Sequence, residues 1–160
     1  MIKCILHKRN LSDYKCRNLE NAMWFFYEEY FKRFTEKITV NIRFNRVTDI
    51  DYDKQRNEFD GGSAHKIRKN LYNVTLYCEE TLKNLISTVF HELYHVYDYI
   101  IGNLKNYKDK TYYKGYFYEE MNKMYEQTLT DEEYETIPWE KPAFKAEDKM
   151  YFAFIEKYRL

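Results

Sequence analysis

The chain has 160 residues, 44% hydrophobic and 32% charged, with 26 Lys and Arg against 26 Asp and Glu. That length suits one domain spanning residues 1–160, and the zero net charge gives no global pull toward nucleic acid or an anionic membrane. The three cysteines, Cys4, Cys16 and Cys78, are odd in number and lack a CxxC pair, so neither a disulfide framework nor a cysteine zinc site is expected.

In chain order, residues 1–8 read as a short strand. Residues 13–37 read as a helix, with Asp13 as N-cap and Leu19, Met23, Phe26, Tyr30 and Phe34 close to a three-to-four repeat. Ile38 to Phe44 alternates apolar and polar residues, the pattern of a half-buried strand. Residues 45–66 are charged, contain Gly61-Gly62 and read as a surface loop. Leu71 to Cys78 reads as a second strand, leading into a helix over 80–101 with Gly102 as C-cap.

Leu82, Ile86, Val89, Leu93, Val96 and Ile100 form a stripe on that helix that predicts burial. Residues 103–136 are polar and aromatic, with a helix expected near Tyr118 to Gln127. Pro138-Trp139 opens a last helix through Tyr158, with Pro142 in its first turn, where a missing N–H costs little. The expected class is α+β: a short mixed sheet packed on the long central helix, with further helices toward both ends of the chain. No segment approaches the roughly 18 apolar residues of a membrane span, and the first residues lack a signal-peptide core, so a cytoplasmic protein is expected.

The central helix carries His91-Glu92-Leu93-Tyr94-His95. Histidines four apart lie on one helix face, one turn apart, and two such nitrogens can hold one Zn²⁺ at about 2.0–2.1 Å. Glu92 is turned about 100° from His91, too far round to be an easy third ligand. It is placed to take a proton from a water beside the metal, which is the role of a general base. Asp98 shares the histidine face and is a candidate acceptor for a ligand imidazole N–H, as against an ordinary exposed helical Asp. His7 and His65 lie upstream as isolated surface or loop histidines.

Ser87 to Val96, followed by Ile137-Pro138-Trp139-Glu140-Lys141-Pro142-Ala143, resembles the gluzincin-type zincin pattern of compact, often phage- or bacterium-encoded peptidases. There, HExxH is followed by a Pro-x-Glu-x-x-Ala helix start whose Glu completes the metal site. The metzincin extension is absent, since Asp98 and Ile101 stand where it needs glycine and histidine. The resemblance covers about half the chain, and Pro142 departs from its usual charged residue. It implies a zincin-like fold with Glu140 as third ligand. Glu147, two helical turns on and on nearly the same face, competes for that role. In zincins the strand before the active helix is typically the sheet edge that receives an extended substrate, which points to Asn73 to Tyr77.

The expected function is zinc-dependent hydrolysis of a protein or peptide substrate, with His91, His95 and Glu140 as ligands and Glu92 as base. The alternative is a catalytically silent zincin-fold module that holds zinc structurally or binds a partner. The basic run Lys66-Ile67-Arg68-Lys69 is too short to argue for nucleic acid.

Overall fold

A computed structural model describes residues 1–8, 11–45, 62–78, 80–107, 110–118, 133–134 and 136–159. The elements, in order, are β1 (Ile2–Leu6), α1 (Asp13–Phe26), a π-helical turn (Tyr27–Phe31), β2 (Ile38–Asn45), β3 (Gly62–Arg68), β4 (Leu71–Tyr77), α2 (Leu82–Ile101), β5 (Leu104–Tyr107), β6 (Lys110–Tyr113), β7 (Tyr116–Tyr118) and α3 (Glu140–Tyr158). The class is α+β. A mixed sheet ordered β1-β2-β4-β3 packs on α2, and a small antiparallel sheet ordered β5-β6-β7 follows that helix.

The main sheet buries one face. Ile38, Val40, Ile42 and Phe44 of β2 and Tyr72, Val74 and Leu76 of β4 enter the core, and the residues between them stay half-buried or exposed. Strand side chains alternate, so this pattern fixes the register: a slip by one residue would turn every apolar side chain to the wrong face. β1, β2 and β4 run parallel and β3 antiparallel.

The structure moves several boundaries. The first helix starts on Ser12, whose hydroxyl accepts from the Lys15 N–H, so Asp13 opens the helix without capping it. This helix ends as α at Phe26. The next turn is π-helical, closed by the Lys32 N–H on the Tyr27 carbonyl at 2.8 Å. The wider turn brings Phe31, five positions after Phe26, edge-on to it at 5.1 Å, with both rings wholly buried. An uninterrupted α-helix would set those residues further round the axis.

Three further expectations change. Residues 62–66, read as loop, belong to β3, while 46–61 lie outside the described residues. Part of 103–136 forms the β5–β7 strands; of the helix expected near Tyr118 to Gln127, Tyr118 ends β7 and 119–127 lies outside the described residues. Asn73 to Tyr77 is not an edge, because β4 pairs on both sides with β2 and β3; the edge beside α2 among the described residues is β3.

α2 follows its expected course. Thr81 caps its start, and Gly102 ends it at φ 81, a left-handed conformation that costs glycine little. Ile86, Val89, Leu93 and Val96 are buried as the stripe predicts. The opposite face is buried as well, under α3, with Asp98 wholly inside. Each fully buried Leu or Phe on this helix contributes about 1.5–3 kcal/mol of transfer free energy. Leu93→Ala would cost about 2–5 kcal/mol through the cavity left in the core against the apolar stripe.

Candidate metal centre

α2 supplies His91, Glu92 and His95, and the first turn of α3 supplies Glu140. Packing of α3 across α2 brings these helices together. His91 Nε2 lies 2.9 Å from Glu140 Oε2 and 3.0 Å from His95 Nε2, and His95 Nε2 lies 3.2 Å from the same carboxylate oxygen. All three residues are buried. The three atoms form a closed triangle of inward-facing donors. Ligands at about 2.0–2.1 Å from a tetrahedral ion stand about 3.3 Å apart, so opening the triangle by a few tenths of an ångström would seat a zinc ion.

The donor chemistry fits as well. Two imidazole nitrogens facing each other at hydrogen-bond distance need a proton or a cation between them. The neighbours of His91 favour that charge on its ring. Burial opposes a proton on its ring, but hydrogen bonds to Glu140 and Glu147 and the charge of Glu92 outweigh burial and lift it to about 10. Burial likewise raises Glu140, and its hydrogen bonds to His91 and His95 outweigh that and bring it down to about 2. The pair is a buried cation on an anion, occupying the place where a divalent ion would supply the positive charge.

Glu147, the competing ligand, stands elsewhere. Its Oε2 lies 3.0 Å from His91 Nδ1, on the ring edge away from the triangle, and the Ser87 hydroxyl donates to its other oxygen. Burial pushes this carboxyl up and the His91 and Ser87 bonds pull it further down, leaving it below its usual range. In the neutral ring, an Nδ1–H held by this carboxylate would leave Nε2 with a free lone pair toward the triangle.

Asp98 does not hydrogen-bond to a ligand imidazole. Its Oδ1 accepts from the Asn103 amide at 3.2 Å, while its Oδ2 and His95 Nδ1 are both buried without a hydrogen-bond partner. Burial pushes the Asp98 carboxyl up, against the Asn103 bond and the charge of His95.

No known family, curated protein or solved structure matches this chain. The site's own chemistry therefore carries the functional argument.

A cleft of about 160 Å³ opens onto the triangle, lined by Glu92, His95 and Glu140 together with Gly62, Ala64, His65, Asn106, Thr111, Tyr134 and others. One wall is the edge strand β3 and the other is the β5–β6 pair. Gly62 makes the first wall possible. A Cβ there would stand 3.0 Å from Glu92 Cγ and 2.9 Å from both the Thr75 carbonyl and Thr88 Cγ2.

Sequence reasoning missed this wall. It placed Gly62 and His65 in a loop, although the Lys69-Asn70 pair before a clear strand was a hairpin signal; Asn70 adopts φ 62 in that turn. His7 stays apart, its Nε2 3.2 Å from the Asn41 amide oxygen. Tyr99, Tyr134 and His65 are among the cleft groups that carry a hydrogen-bond donor, a role the sequence left open among its many tyrosines.

Proposed function

We propose that the protein is a zinc-dependent metallopeptidase of zincin type. The single observation that carries this reading is the convergence of His91 Nε2, His95 Nε2 and Glu140 Oε2 to within 2.9–3.2 Å of one another, beside a cleft that His95, Glu140 and Glu92 line. Two histidines and one carboxylate leave a fourth tetrahedral position open, as catalytic zinc sites do. No helix among the described residues is long and apolar enough to cross a membrane. Three cysteines without a disulfide suit a reducing cytoplasm.

A bound zinc ion supplies Lewis-acid activation of a water and polarisation of the scissile carbonyl. His91, His95 and Glu140 hold the ion, and Glu147 keeps the His91 ring in the tautomer that ligation needs. Glu92 accepts the proton from the attacking water and delivers it to the leaving amine. The substrate main chain pairs with the edge of β3 that is open among the described residues, which sets the scissile peptide beside Glu92. His65 or Tyr134 donates to the oxygen of the tetrahedral intermediate.

Metal content measured by mass spectrometry, with proteolysis of an unfolded protein substrate, tests the reading. About one zinc per chain in the wild type, lost in Glu140→Ala, is expected. Glu92→Gln is expected to retain zinc and to lose about 10²–10⁴-fold in turnover. Zinc-loaded wild type that cleaves nothing, while still binding peptides, would identify a silent binding module. A wild type that takes up no supplied zinc would overturn the metal site.

A further inference from the structure

β3 begins at the reaction site and ends in cations. Gly62, at its start, lies against Glu92, and Gly62, Ala64 and Lys66 share one face of the strand, opposite Leu76, Val74 and Tyr72 of β4. Lys66 is four positions along from Gly62, or about 13 Å at the rise of a strand. Arg68 and Lys69 follow it. All three cations are exposed, and none forms an ion pair among the described residues. From Gly62 to Cys78 the chain holds these cations and His65 but neither Asp nor Glu.

The opposite wall repeats the sign. Lys105 and Lys110 alternate with the lining residues Leu104, Asn106 and Thr111, and Lys114 lies in the next turn. Lys105 and Lys110 face outward, but they stand within about a Debye length, roughly 8–10 Å, of that wall and add to its potential. In a chain of zero net charge this is a local excess.

We propose that the cleft selects extended peptide segments carrying Asp or Glu, laid along β3 as an added strand with an acidic side chain across from Lys66. The acidic residue then falls about four positions to one side of the peptide bond beside Glu92. Directly opposed unlike charges stabilise strand pairing, and the main-chain bonds of the edge set the register. A polyphosphate backbone fits less well, because it has no N–H and C=O ladder to pair with the edge of β3. The peptide's passage beside Glu92 rests on the peptidase reading; the charge preference rests on the walls alone.

Binding separates the two. Fluorescein-labelled Thr/Val peptides with a Glu, Gln or Lys pair near one end are titrated into zinc-supplemented Glu92→Gln protein, alone and combined with Lys66→Glu. The Glu peptide is expected to bind about threefold to tenfold tighter than the Gln peptide at low salt, with the gap closing at high salt. Lys66→Glu is expected to invert the order of the Glu and Lys peptides. Equal binding of all three, or an order unmoved by Lys66→Glu, would overturn the proposal. So would a labelled thymidine oligonucleotide that binds tighter than the Glu peptide and displaces it. Wild type cleaving all three peptides alike would sink the charge preference and leave the peptidase. Selective binding without cleavage by wild type would do the reverse.

Discussion

His91 lies between two carboxylates of one helix: its Nδ1 is 3.0 Å from Glu147 and its Nε2 is 2.9 Å from Glu140. The two glutamates therefore have different expected effects on metal affinity. Glu147→Ala leaves all three converging donors in place and removes the group that orients one of them. Zinc is expected to bind about 10–100-fold more weakly and to remain stoichiometric at saturation. Glu147→Gln, which keeps an acceptor oxygen, is expected to recover part of the loss. Competition with a chromogenic chelator measures both. Unchanged affinity in Glu147→Ala would remove the orienting role.

Gly62 is expected to act on rate rather than on metal. Gly62→Ala places a methyl about 3 Å from Glu92 Cγ and from the Thr75 carbonyl, and relief of that contact costs about 1–3 kcal/mol of stability. The displaced part is the Glu92 carboxylate stem, so kcat is expected to fall while zinc content holds at one per chain. Thermal melting, metal analysis and peptide turnover on the same preparation check this. Wild-type melting and kcat together would mean that β3 stands further from α2.

The protonation of the triangle sets a pH window for the metal-free protein. His91 is raised from 6.5 to about 10 in the folded state, so its contribution to stability is full below 6.5 and is lost as pH rises through about 10. Glu140 is lowered from 4.5 to about 2, so its contribution is full above 4.5 and is lost as pH falls through about 2. The pair contributes most between pH 4.5 and 6.5. Chelator-treated protein is expected to lose melting temperature from pH 6.5 toward 10, and Glu140→Gln is expected to flatten that dependence. A wild-type slope retained in Glu140→Gln would place its origin outside the pair.

On the proposed metal site, zinc and that proton would compete for one place. Uptake of the ion near neutral pH is expected to release the His91 proton. Calorimetry in two buffers of unlike ionisation enthalpy measures the proton count, and about one per zinc is expected. A count of zero would mean that His91 is already neutral in the metal-free protein.

The histidine pair was legible because helical spacing is local: residues 91 and 95 share a face in any α-helix, and the Ile86–Val89–Leu93–Val96 stripe said that a helix was there. The α+β class followed from two alternating strands beside it. β3 was not legible, since Gly-Ser-Ala-His-Lys-Ile-Arg has one β-branched residue and no buried face, and it pairs only because β4 offers a free side. The short Tyr- and Lys-rich strands β5–β7 hid for a similar reason. Glu140 and Glu147 were correctly placed on one helical face, but the position of the His91 ring between them is a tertiary fact that spacing cannot supply. The Asp98 bond to an imidazole fits the helical phase and is not formed: Oδ1 accepts from the Asn103 amide, and neither Oδ2 nor His95 Nδ1 has a hydrogen-bond partner.

The triangle joins residues 49 positions apart, from His91 on α2 to Glu140 on α3. An ion seated there would act as a removable clasp on that loop, and closing a loop of such length in the unfolded chain is worth about 4 kcal/mol in a chain-entropy account of cross-links. Chelation would then do more than silence a reaction. It would release a tie between the middle of α2 and the start of α3, leaving the Glu147 bonds to His91 and Ser87 and the packing to hold them, so susceptibility of the intervening chain to a second protease would report how much of the protein is charged with metal.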